Sequence, residues 1–165
     1  GEQYGTAPIS NEADIDKAYF AAAQAFQEWK RTTPSQRQKA LLDFADDVEK
    51  HADELVAAEG RNTGKPNHVT AAEEIPPMVD QIRFFAGAAR LLEGKSAGEY
   101  MTGHTSWIRR EPVGVIGQVA PWNYPMTLAA SDGVAALMAG TPMVFPGGDA
   151  SPTHMAYVIA DSMPT

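Results

Sequence analysis

The chain has 165 residues, room for one domain with a real core. It holds 13 basic and 21 acidic residues, a formal charge of −8, and no cysteine. That balance argues against nucleic acid as a partner and mildly favours cationic small molecules. The absence of a thiol excludes disulfides, Cys-based zinc sites and a cysteine nucleophile. No apolar run is long enough to span a bilayer, and no signal-peptide pattern opens the chain. A cytoplasmic protein without a membrane partner is therefore expected.

Residues 1–9 read as a short lead-in. Asn11, with Asp14 three residues on, starts a helix whose apolar stripe is Ile15, Ala18, Ala22, Ala25, Phe26 and Trp29. Thr33-Pro34-Ser35-Gln36 combines a cap, a first-turn proline and a reciprocal capping glutamine. The stripe that follows is Leu41, Phe44, Ala45, Val48, Leu55 and Val56, with a break near His51. Asn62-Thr63-Gly64-Lys65-Pro66 ends it with strong breakers. A third helix is predicted over residues 74–92, with Ile75, Val79, Ile82, Phe85, Ala86 and Ala89 inward. Pro76 and Pro77 fit only its first turn, and Gly94 stops it. Glu73 and Glu74 then lie at a helix start, where the dipole favours acids.

Residues 100–111 read as extended, and 94–103 as a loose boundary. Residues 113–119 are mostly apolar and β-branched, the pattern of a strand covered on both faces. Pro121 ends that strand because it cannot donate to a ladder. A helix follows from about Met126 to Met138, then Gly140, a short strand at 142–145, and a last helix at 152–163 with Ser151 as cap. The order β-α-β-α implies parallel strands. Two such strands cannot form a stable sheet alone, so a homo-oligomer is expected. The fold class is α/β: a helical cluster over residues 1–99, then an extended segment and an incomplete Rossmann-like unit over 100–165, all in one domain.

The stretch Glu111-Pro112-Val113-Gly114-Val115-Ile116-Gly117-Gln118-Val119-Ala120-Pro121-Trp122-Asn123-Tyr124-Pro125 resembles the strand and turn that open the coenzyme-binding domain of aldehyde dehydrogenases. Arg83-Phe84-Phe85-Ala86-Gly87, Gly94-Lys95-Ser96-Ala97-Gly98-Glu99-Tyr100, His104-Thr105-Ser106 and Ile108-Arg109-Arg110 resemble the aminoaldehyde branch, γ-aminobutyraldehyde dehydrogenases in particular. The resemblance covers essentially the whole chain. It implies that the hairpin used in subunit pairing begins near Tyr100. It also implies that Asn123 helps hold an oxyanion through its side-chain amide. An ordinary helix N-cap is an equally good account of Asn123, and the two are compatible. Pro121 and Trp122 match the segment lining the nicotinamide side of the coenzyme site, or are simply the end of a core strand.

The chain departs from the family pattern at the ligand site. Where the family has Lys-Pro-Ser-Glu or Lys-Pro-Ser-Asp, this chain has Pro146-Gly147-Gly148-Asp149. The ribose lysine is gone, and Asp149 keeps the acid. Where relatives carry Trp-Lys, this chain has Ser131-Asp132. Without a cysteine no thiohemiacetal forms, and no hydride is available for NAD. No cofactor is expected, with NAD binding as the alternative. Asn123, Tyr124 and Asp132 are the candidate catalytic residues, with Asn123 and Asp132 expected to border one cavity. Asp132 there would hold an amine or act as acid or base, or be a solvated helical residue. His51, His68, His104 and His154 show no metal-ligand spacing, so no metal site is expected.

The function expected is binding of a small aldehyde, imine or amine, with a non-redox step such as imine formation, cyclisation or isomerisation. The alternatives are a non-catalytic interaction module and a piece of an NAD-dependent aminoaldehyde dehydrogenase.

Overall fold

In the computed structural model, residues 10–121, 123–141 and 143–144 are described, with residues 3, 5 and 6 before them. Asn11 opens the first helix as its pattern predicts. Its side chain accepts from the N–H groups of Ala13 and Asp14 at 2.9 and 3.2 Å. Asp14 accepts in return from the Asn11 N–H at 3.1 Å. This reciprocal box satisfies donors that a helix start leaves bare, and α1 runs Glu12–Trp29. Thr33 and Gln36 build the same device ahead of α2, Pro34–Lys50. The chain breaks at His51 and continues as α3, Ala52–Thr63. His51 is half-buried, with Nδ1 2.8 Å from the Asp47 carbonyl oxygen. Gly64 closes α3 at φ 77°, a left-handed conformation that glycine adopts without a Cβ penalty.

The next segment differs from the sequence reading. A short α4, Asn67–Glu73, precedes α5, Ile75–Ala88, which passes into a single 3-10 turn at Ala89–Leu91. With seven residues, α4 is too short to show an apolar stripe, so its sequence does not announce it. The inward residues expected for α5 are buried, except that Phe85 is half-covered. α5 packs against both α2 and α6 (Pro125–Met138). Leu41, Phe44 and Val48 of α2, Leu55 of α3, Ile82 of α5 and Val134 of α6 sit in one continuous buried cluster.

Two expectations about burial are corrected. The α1 stripe is only partly covered: Ala18, Ala22, Phe26 and Trp29 are half-buried, while Ile15 and Ala25 are exposed. The helix is anchored at its C-terminal end, where Trp29 packs on the core and its Nε1–H donates to the Leu137 carbonyl at 3.1 Å. The run 113–119 is not a strand covered on both faces. Within this run only Ile116–Gly117 pairs among the described residues, as β3, and Val113 and Val119 are each 86% exposed. Its partner is β4, Met143–Val144, in the parallel sense that the β-α-β order requires. Gly117 lies directly under the Tyr19 hydroxyl of α1, where a Cβ would collide.

The extended region is an antiparallel hairpin of β1, Lys95–Met101, and β2, His104–Ile108. It begins at Lys95 rather than Tyr100, so the segment 94–103 is strand and turn and not a linker. Trp122, Asp149, Ser151 and the helix expected at 152–163 lie outside the described residues.

Candidate functional site

Asn123 and Tyr124 form the turn between β3 and α6. No side-chain hydrogen bond caps α6; Tyr124 occupies the cap position and Pro125 the first helical one. The N-cap account of Asn123 is therefore not the one adopted. Order in this turn comes from the helical cluster. Lys65, in the loop between α3 and α4, donates from Nζ to the Asn123 carbonyl oxygen at 3.1 Å. The same ammonium pairs with Oε1 of Glu74 and lies 3.9 Å from the centroid of the Tyr124 ring. The Tyr124 hydroxyl donates to Glu73 Oε2 at 3.1 Å. Thr127, in the first turn of α6, lies 3.4 Å from the Glu74 carbonyl oxygen through Oγ1. Asn123 itself is exposed.

Glu73 and Glu74 do meet a helix start, with Glu74 at the cap position of α5, but Glu74 is not a solvated dipole partner. Glu73 ends α4, and the side chain of Glu74 is completely buried. A buried carboxylate is stable only with a charge partner, and Lys65 supplies it. A second acid, Glu59 on α3, is also buried, and its Oε1 has no hydrogen-bond partner. Burial pushes the Glu59 carboxyl above the usual glutamate value, and the nearby Glu74 carboxylate adds to the push. Lys65 and Thr63 pull the other way. Two acids and one ammonium leave this cluster short of positive charge.

Asp132 lies elsewhere. It lines a cleft of about 550 Å³ alongside β3, with Glu111, Val113, Ile116, Gln118 and Val119 on one side and Ala135 and Ala136 of α6 and its cap residue Ala139 on the other. Asn123 and Tyr124 do not line it, so the shared cavity expected from the sequence is absent there. Gln118 bridges the two sides: its Nε2 donates to Asp132 Oδ2 at 3.2 Å and approaches the Leu128 and Ala129 carbonyl oxygens at 3.3 and 3.4 Å. Among the described residues the cleft is lined by two carboxylates and by no lysine or arginine. No group of three histidine, aspartate or glutamate side chains among them gathers as a metal site.

The sequence model of the aldehyde dehydrogenase family matches residues 1–163. The chain belongs to the aldehyde dehydrogenase family. It is 37% identical to a fluoroacetaldehyde dehydrogenase of Streptantibioticus cattleyicolor, an alignment covering 99% of this chain and 33% of that protein. A long-chain-aldehyde dehydrogenase of Acinetobacter sp is 35% identical, again over 99% of this chain and 33% of the relative. Among solved structures, the NAD+ complex of an aldehyde dehydrogenase from Bacillus cereus superposes with a TM-score of 0.83 at 31% identity. That match covers 92% of this chain and 31% of the other. The chain spans about a third of the length of the relatives it matches.

Aldehyde dehydrogenase family membership implies NAD, and the described residues can be tested against it. A dinucleotide diphosphate is held by cations, by glycine-rich backbone N–H groups or by a helix N-terminus. The cleft beside β3 offers carboxylates instead, and Pro121 is exposed four residues past the end of β3 rather than ending the strand. That cleft, as described, does not fit a dinucleotide diphosphate.

Lys65 and Glu74 are the site residues that sequence reasoning passed over. Lys65 read as one of a string of helix breakers. The signal available was its spacing: nine residues before an acid, with two breakers beside it. Nothing local shows that the acid is buried or that residues 123–124 return to meet the lysine.

Proposed function

We propose that this chain binds a small aldehyde, imine or amine at the Asn123–Tyr124 turn and performs no NAD-dependent oxidation by itself. The observation that carries this is the fixed turn: the Asn123 carbonyl is held by Lys65 while the residue stays exposed. With its backbone held, Asn123 presents its exposed side-chain amide as a donor to a carbonyl oxygen carrying developing negative charge. Oxidation of the family type needs a thiol nucleophile, and this chain has none. Compatible chemistry is non-redox: imine formation, cyclisation or isomerisation. Asp132, in its separate cleft, is assigned to holding an ammonium group rather than to acid–base work on a ligand at Asn123.

Titration with butanal tests the proposal. Asn123→Ala is expected to weaken binding at least tenfold, about 1.4 kcal/mol, with Asp132→Ala leaving butanal affinity unchanged. Equal affinity in wild type and Asn123→Ala overturns it. So does formation of reduced coenzyme by the purified chain supplied with NAD and aldehyde.

A second reading, a self-assembling interaction module, is favoured by the hairpin. Tyr100, Met101, Trp107 and Ile108 are all exposed on its two strands. An isolated two-stranded hairpin is marginally stable in water, and such side chains mark a surface that a partner covers. Light scattering at micromolar concentration is expected to give a mass above that of one chain, reduced by Trp107→Glu. A monomeric wild type removes this reading.

A further inference from the structure

We infer that Lys65, held in place by Glu74, is the positioning residue of the Asn123–Tyr124 turn. What the positioning achieves rests on the proposed carbonyl-binding role of that turn; the positioning itself rests on contacts alone.

The turn has little order of its own. α6 starts without a side-chain cap, and both Asn123 and Tyr124 are exposed. A lysine ammonium carries three donors and no acceptor. Here one direction is taken by Glu74, one by the Asn123 carbonyl at 3.1 Å and one by the face of Tyr124 at 3.9 Å. Lys65 is itself well placed to act as a fixed post. It follows Gly64, whose left-handed backbone ends α3, and precedes Pro66, whose ring restricts φ. Its own N–H donates to the Thr63 hydroxyl at 3.2 Å. Glu74 has no exposed side-chain surface, so its carboxylate is confined by the packing around it. Two rigid supports, the end of α3 and the start of α5, therefore converge on one ammonium. That ammonium reaches across 58 residues of sequence to the turn.

A merely structural role for Lys65 would be to neutralise the buried Glu74. The two roles separate in a double variant. Lys65→Met/Glu74→Gln leaves no unpaired charge at position 74, so a charge-balancing role is met while the tie to Asn123 is lost. The measurement is backbone 15N relaxation on the full chain. Wild-type order parameters at Asn123 and Tyr124 are expected near those of rigid backbone, about 0.85, and to fall below about 0.6 in the double variant. Those of α2 are expected to stay unchanged. Lys65→Arg is expected to recover the pair with Glu74 and only part of the order at the turn, because a planar fork replaces a point charge. Order parameters at the turn that match wild type in the double variant overturn the inference. So does a drop shared equally by α2.

Butanal titration of the same proteins separates this inference from the function it serves. A roughly tenfold weaker affinity in the double variant supports both. If wild type binds no butanal and the turn still loosens, the carbonyl-binding proposal falls and the positioning role stands.

Discussion

The helical cluster and the strand-turn-helix segment treat the same kind of side chain in opposite ways. On the inward faces of α2, α3 and α5, leucines, valines and isoleucines at helical spacing are buried against one another. Leu55 retains 1% of its accessible surface and Ile82 none. In residues 113–119 an equally apolar run leaves Val113 and Val119 almost fully open. Composition does not separate the two. A helical stripe finds its covering layer among neighbouring helices of the same chain. A parallel strand needs neighbours on two edges and layers on two faces, and β3 has one two-residue partner among the described residues. Apolarity announces a demand for burial; the available partners decide whether it is met.

The largest effect that would break this comparison lies where the two regions meet. Lys65→Met strands the buried Glu74 carboxylate and is expected to cost about 3–5 kcal/mol in chemical denaturation. A loss under 1 kcal/mol would show that the joint is ornamental. Next, Leu55→Ala is expected to cost about 2–5 kcal/mol through lost burial and the cavity left behind. Val119→Ala is expected to stay within about 0.5 kcal/mol. Equal costs for the two would mean that the strand is covered after all.

A smaller effect concerns Glu59. Its folded-state pKa is raised, so its contribution favours the folded state at acid pH. That contribution is lost as pH rises from the usual glutamate value through the raised one. Glu59→Gln is therefore expected to raise stability by about 1 kcal/mol at neutral pH, with no gain below the usual glutamate range. Denaturation curves at both pH values check it. Smallest is Arg83, whose bonds to Asp46 and Glu49 join α5 to α2 on the surface. Arg83→Ala is expected to change stability least of these variants, and by less still in high salt.

Local signals carried much of this architecture. Asn11 with Asp14, and Thr33 with Gln36, announced both helix starts because a capping box is written within four residues. Gly64 announced a helix end because a left-handed cap needs one residue. The inward faces of α2, α3 and α5 followed from spacing alone. The candidate site was legible only in part. Asn123 and Tyr124 stood out in the Pro-Trp-Asn-Tyr-Pro stretch, yet Lys65 lies 58 residues from Asn123 and Glu73 lies 51 from Tyr124. Asp132 looked like their neighbour because it is close in sequence. It faces the cleft beside β3 instead, tied to Gln118.

Caps, breakers and periodicity act within one or two helical turns, so the order of residues was enough to set α1, α2, α3 and α5, though not the seven-residue α4. Which acid is buried, which ammonium answers it and which apolar run stays open depend on segments far apart in the chain. Those outcomes are settled when packing sets the local dielectric and supplies, or fails to supply, a covering layer.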